Sequence, residues 1–243
     1  MVSLQPMEIA ANVAPNLAEI RRRIAAAEAR AERPPGSVEL LAVSKTFPPP
    51  PIREAYDAGQ RHFGENRIQE FESKIAQMQW PGAVWHMIGH VQSNKAARAA
   101  QLFDVVHTVD SVALARRLND QRAKMDAPAL RVFIEVKLSG EAAKTGTPET
   151  EVAALAEEIR RMDRLDLRGV MTMPPWSLDP RLAQQAARPY FRRLREIAAR
   201  LGVAELSMGM TNDFETAIEE GATTVRVGTA IFGKREKPSL EGV

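Results

Sequence analysis

The sequence predicts one α/β domain, a (β/α)8 or TIM barrel preceded by an extra N-terminal helix. Eight short runs rich in apolar and β-branched residues recur along the chain, with helical stretches between them. Their spacing of roughly 20 to 35 residues suits parallel strands joined by crossover helices. The length of 243 residues sits close to the roughly 250 of such barrels. A doubly wound open sheet is the competing architecture, but no Gly-rich dinucleotide fingerprint follows the first strand.

Ile9, Val13, Leu17, Ile20 and Ile24 recur at spacings of three and four, which marks an amphipathic helix. Pro15 interrupts it and is expected to split it into a lead-in and a main helix. Breakers at "RPPGS", 33 to 37, end the segment. The expected strands follow at 38–44, 61–65, 84–89, 104–109, 130–136, 167–173, 204–209 and 223–228. Among the helices, 151–162 and 187–202 are the clearest, with apolar stripes and charged outer faces. The expected organisation is a helical segment over 1–36, a single barrel over 37–235 and a tail over 236–243.

Composition narrows the function classes. With 33 basic and 31 acidic side chains the net charge is +2, which offers no footprint for nucleic acid. There is no cysteine, so disulfides and thiolate metal sites are excluded. No apolar run approaches the roughly 20 residues of a membrane span. The first residues lack a basic start and apolar stretch, and Glu8, Glu19 and Glu28 speak against a transit peptide. The expectation is a soluble, cytoplasmic protein.

In a barrel the C-terminal strand ends face the active site. They carry Lys45, Glu65 with Asn66, His86, His107 with Asp110, Lys137, Met173, Ser207 and Arg226. Lys45 follows an interior strand and precedes a proline run, Pro48 to Pro51. A surface lysine is the plain alternative; a desolvated amine at the mouth, its pKa drawn below about 10.4, can form a Schiff base with an aldehyde. Ser207 and Gly209 precede a helix that Thr211 or Asn212 could cap, and Gly228 with Thr229 ends the eighth strand. Small residues there let backbone N–H groups approach an anion, and loops after strands seven and eight commonly hold phosphate. Arg226 lies among residues expected to be buried, so its guanidinium needs a partner: an internal acid, or an acceptor on a ligand. Aldehyde-seeking lysine, phosphate cradle and buried arginine together describe pyridoxal 5′-phosphate.

The segments "LLAVSKT", "AGQRHFGENRIQE", "WHMIGHVQSNKA", "VHTVDS" and "LSMGMTNDFETAIEEGATTVRVGTAIFG" resemble the pyridoxal phosphate homeostasis protein family, the YggS-like and PROSC-like proteins. The likeness runs from about residue 16 to residue 235 in the same order. It implies the barrel of the alanine racemase N-terminal domain, with Lys45 as the aldehyde-binding lysine. It implies Ser207, Gly228 and Thr229 at the phosphate, Arg226 near the pyridine nitrogen and Asn66 close to the cofactor. His86, Asn94 and Lys95 fall in a family motif, where packing or capping is expected of them. Three positions depart from the pattern: Lys137 for asparagine, His90 for proline or a small residue, and "MTNDF" for "MS-D". Lys137 at a strand end would alter which anions the mouth accepts.

A carrier rather than an enzyme is expected. Arginine is always charged and only donates, so it keeps the ring nitrogen unprotonated and weakens carbanion stabilisation. In the racemases the second proton-transfer group is a tyrosine of an additional domain, for which the chain shows no counterpart; Tyr56 and Tyr190 fall inside expected helices. The expected protein is a monomer that binds pyridoxal phosphate reversibly and delivers it to apo-enzymes. An amino-acid racemase using His86 or Lys137 as second base is the alternative, and a cofactor-free Schiff-base aldolase a further one.

Overall fold

The computed structural model describes residues 12–139, 145–175 and 179–233. A long helix, α1 (Val13–Arg30), leads into the first strand, β1 (Glu39–Val43). Then follow α2 (Pro49–Asp57), β2 (His62–Glu65), α3 (Ile68–Ile75), β3 (Val84–Met87), α4 (Ala96–Leu102), β4 (Val105–Val109), α5 (Val112–Arg122) and β5 (Leu130–Lys137). The second half holds β6 (Thr147–Pro148), α6 (Val152–Arg160), β7 (Leu165–Met171), α7 (Pro180–Leu201), β8 (Glu205–Met210), α8 (Phe214–Glu219), β9 (Thr224–Val227) and α9 (Thr229–Phe232).

The strands are parallel, in the order β4-β3-β2-β1-β9-β8-β7-β5, and pairing of β4 with β5 closes the barrel. The expected fold class is therefore the observed one. Two-residue β6 lies outside the ring, against the end of β5. It is too short and too poor in apolar residues to have a sequence signature.

Closure gives each strand two environments, because successive side chains point to opposite faces. Outward residues such as Leu40, Ala42, Phe63, Met87, Ile134, Leu206 and Val225 pack with Leu17, Phe71, Leu118, Ile159 and Phe191 from the helices. The inward set contains a small apolar cluster, Val105, Phe133 and Met171. The rest of the barrel's interior is notably polar: His86, His107, Glu135, Ser207 and Arg226 are all buried.

Two local expectations are corrected. Helix α1 runs unbroken through Pro15, which occupies its first turn, where a missing N–H breaks no intrahelical bond. Helix α7 starts seven residues before the expected 187, because Asp179 caps it, its Oδ1 accepting from the Arg181 N–H at 2.8 Å. It ends at Gly202 with φ +65°. Ile9 and the 236–243 tail lie outside the described residues.

Strand β8 turns into α8 through Gly209, whose φ is +93°. A Cβ at Gly209 would lie 2.5 Å from the Ala217 Cβ and 3.0 Å from the Phe214 Cα. Gly209→Ala should therefore destabilise the protein by about 3 kcal/mol, from backbone strain plus overpacking. The check is a urea titration, in which the midpoint falls while the slope is unchanged.

Candidate functional site

Strands β1 and β9 are neighbours in register, Ala42 opposite Val227, and β1 and β2 align Val43 with Gly64. The residues that follow these strands, Lys45, Asn66, Gly228 and Thr229, thus emerge together at the C-terminal rim. A Cβ at Gly228 would meet the Val43 Cβ and carbonyl oxygen at 3.2 Å, tighter than ordinary van der Waals contact, so glycine lets the two backbones run this close without a shift of β1. Across the rim, the Phe47 and Phe232 rings lie 5.1 Å apart and tie the Lys45 loop to α9.

The Lys45 loop is held from outside the barrel. Ser44 points outward, and its Oγ donates to Oε1 of buried Glu65 at 2.6 Å. The Lys74 ammonium of α3 pairs with that same oxygen at 2.9 Å. It also donates to the carbonyls of Ser44 and Phe47, both at 3.2 Å, and pairs with Glu70 at 3.3 Å. Lys74 thereby grips the chain on both sides of Lys45. Thr46 adopts φ +70°, rare for a β-branched residue, and its N–H donates to Oε1 of Glu70 at 2.5 Å. Burial pushes the Glu65 carboxyl above its ordinary pKa, with Lys74 and the Ser44 hydroxyl opposing.

Asn66 follows β2, and its Oδ1 is buried without a hydrogen-bond partner among the described residues. Its backbone is wedged against Gly89, where a Cβ would fall 2.2 Å from the Asn66 carbonyl oxygen. The "GEN" and "WHMIGH" segments interlock here, the Ile88 N–H donating to the Glu65 carbonyl at 2.8 Å.

One layer deeper lies Arg226. Its guanidinium donates to the Ser207 carbonyl and Oγ, both at 2.8 Å, and to the Thr172 carbonyl at 2.9 Å. Burial lowers its pKa to about 10, with Asp213 and Glu135 acting the other way. The arginine stays charged at neutral pH, with no carboxylate in direct contact among the described residues. Three recorded bonds leave donor capacity in a group that carries five N–H donors.

Ser207 is not a strand end. Strand β8 continues to Met210, and Ser207 is fully buried, its Oγ also 2.8 Å from Nδ1 of His107. His107 stacks on Phe133 at 4.3 Å and meets Nδ1 of His86 through Nε2 at 2.9 Å. Burial pushes both histidines well below their ordinary pKa, so both are neutral. Lys137 ends β5 beside a cavity of about 220 Å³ shared with Glu135 and Met173. His90 sits 3.3 Å from Asp110, and Asn94 and Lys95 lie in a short 3-10 turn. The Lys74–Glu70 grip escaped the sequence reading; its one signal is the i,i+4 spacing, which reads as an ordinary surface pair.

The comparisons with known proteins agree with this architecture. The model of the family described as alanine racemase, N-terminal domain, matches residues 16–236. A pyridoxal phosphate homeostasis protein of Pseudomonas aeruginosa is 46% identical over 226 residues, covering 92% of this chain and 96% of that protein. The chain belongs to the pyridoxal phosphate homeostasis protein family. PipY of Synechococcus elongatus PCC7942, solved with PLP bound, is 38% identical with a TM-score of 0.79, covering 91% of this chain and 100% of that one. An alanine racemase of Clostridium difficile shares the fold at 14% identity and TM-score 0.69, covering 92% of this chain and 58% of that one. No helix among the described residues is long and apolar enough to cross a membrane.

The clamp gives a direct stability prediction. Lys74→Met strands Glu65 as an uncompensated buried charge and should cost about 3–5 kcal/mol. The double variant Glu65→Gln with Lys74→Met should recover a large part of that loss. Urea unfolding of the three proteins measures both effects, and equal losses in single and double variants would contradict the pairing.

Proposed function

We propose that this protein binds pyridoxal 5′-phosphate reversibly, as a Schiff base on Lys45, and serves to hold and hand on the cofactor rather than to catalyse. One observation carries the reading: Lys45, Asn66, Gly228 and Thr229 meet at one rim, above a buried guanidinium. When bound, pyridoxal phosphate supplies an aldehyde that condenses with a primary amine and a ring that can delocalise charge. The binding of that cofactor in PipY supports the assignment.

Each residue has a task in this proposal. Lys45 offers the amine, and the Lys74–Glu70 grip holds its loop, so little ordering remains to be done on binding. Arg226 presents donors to the ring nitrogen and keeps it from taking a proton. Ser207 and Thr172 fix the guanidinium from below; this gives Ser207 an orienting role in place of direct phosphate contact. Backbone N–H groups at Gly228 and Thr229 receive the phosphate. The unpaired Oδ1 of Asn66 is a ready acceptor for a donor on the ligand.

The non-catalytic part rests on chemistry the site lacks. A ring nitrogen facing arginine is a poor electron sink, and Tyr56 and Tyr190 lie on the outer helices α2 and α7. The Tyr56 hydroxyl is already spent on the Pro81 carbonyl at 2.7 Å. A monomeric cytoplasmic carrier that passes the cofactor to apo-enzymes fits these features.

The purified protein should turn yellow on adding pyridoxal phosphate, and Lys45→Ala should stay colourless while remaining folded by circular dichroism. Equal colour in the variant would remove Lys45 from the proposal. Exchange of the α-proton of amino acids by wild type, lost in Lys45→Ala, would make the protein a racemase-type enzyme instead.

A further inference from the structure

The N-terminal face of the barrel, opposite Lys45, holds a group that the cofactor reading does not use. Glu39 and His62 open β1 and β2, and His86 points inward from β3. Nδ1 of His62 lies 3.0 Å from Oε2 of Glu39 and 3.0 Å from Nε2 of His86. The three atoms fall within 4.8 Å of one another. A cavity of about 480 Å³ opens beside Glu39 and His86, lined also by Arg131, Arg168 and Glu205. Glu39 and His62 are partly exposed, whereas His86 is buried.

Protons do not balance at this junction. An ionised carboxylate only accepts, and each nitrogen of a neutral imidazole either donates or accepts. With its proton on Nδ1, His62 must share that single proton between Glu39 and His86. With the proton on Nε2 of His86 instead, the carboxylate faces the bare lone pair of His62. In either of these arrangements two lone pairs meet a single proton at the junction.

We propose that Glu39, His62 and His86 bind a divalent transition-metal ion, zinc by preference, at the N-terminal mouth of the barrel. Two imidazoles and one carboxylate with a fourth position open to the cavity form a set typical of tetrahedral zinc. Bonds of about 2.0–2.1 Å place tetrahedral ligand atoms about 3.3 Å apart, close to the 3.0 Å that separates His62 Nδ1 from each of the other two ligand atoms. Imidazole ligands favour zinc, copper or nickel, whereas magnesium and calcium depend on oxygen ligands. Arg131 and Arg168 on the cavity wall further disfavour ions held by charge alone; Arg168 is itself paired with Glu205 and Asp166.

The ligand His86 has a built support. Metal on Nε2 leaves its proton on Nδ1, which donates to Nε2 of His107 at 2.9 Å. Nδ1 of His107 then donates to the Ser207 Oγ at 2.8 Å. Such outer partners fix the tautomer and orientation of a metal-bound imidazole.

The test uses the full-length protein without a histidine tag. Equilibrium dialysis against zinc chloride should give about one bound ion per chain, and cobalt chloride should give the intense visible bands of a tetrahedral site. Glu39→Gln and His62→Ala, both at the partly exposed mouth, should each weaken zinc binding beyond the 10–100-fold typical of losing an outer partner. Zinc should raise the melting temperature of wild type and not of either variant. No stoichiometric zinc, a faint octahedral cobalt spectrum, or full affinity in both variants would overturn the site.

Discussion

The strict in-and-out alternation of a closed parallel sheet is the constraint on which the rest depends. Along β1 and its continuation, Leu40, Ala42 and Ser44 face the helices, while Glu39, Leu41, Val43 and Lys45 follow the register that faces the barrel's inside. The contact of Gly228 with Val43 fixes that register, since Gly228 shares its face with Arg226. A slip of one residue would turn Lys45 toward α3 and Ser44 toward the mouth. The same alternation sends Ser44 outward to Glu65 and Lys74, so one tripeptide contributes to both the site and its support.

A polar column runs through the interior beside the inward-facing apolar residues Leu41, Val43, Val105, Phe133 and Met171. From the rim downward, Arg226, Ser207, His107, His86, His62 and Glu39 form an unbroken series of contacts between 2.8 and 3.0 Å. Such a column is expensive to bury unless each member satisfies the next. It explains how an arginine survives inside a barrel with carbonyls, rather than a carboxylate, as its direct partners. It also links the two ends of the barrel chemically, since each ring orients its neighbour.

The fold was legible because period and spacing agree over the whole chain. Eight β-branched runs with helices between them admit few architectures, and Gly228 and Lys45 mark strand ends plainly. Depth was harder to read. Ser207 looked like a strand end because a glycine follows two residues later, yet Gly209 bends only after the strand has carried Ser207 into the interior. At Glu70 and Lys74 the i,i+4 spacing reads as an ordinary helix pair, since nothing in the sequence says that α3 presses this edge against the Lys45 loop. His62, His86 and His107 stand 24 and 21 residues apart; only the stagger of adjacent strands brings their rings into line.

What the account asks of this molecule is a single reversible bond at the tip of β1. Reduction of the cofactor-loaded protein with borohydride, followed by digestion and mass mapping, tests it directly. The account predicts one phosphopyridoxyl group, on the peptide that carries Lys45. A label on Lys95, Lys137 or any other lysine, with Lys45 unmodified, would contradict it.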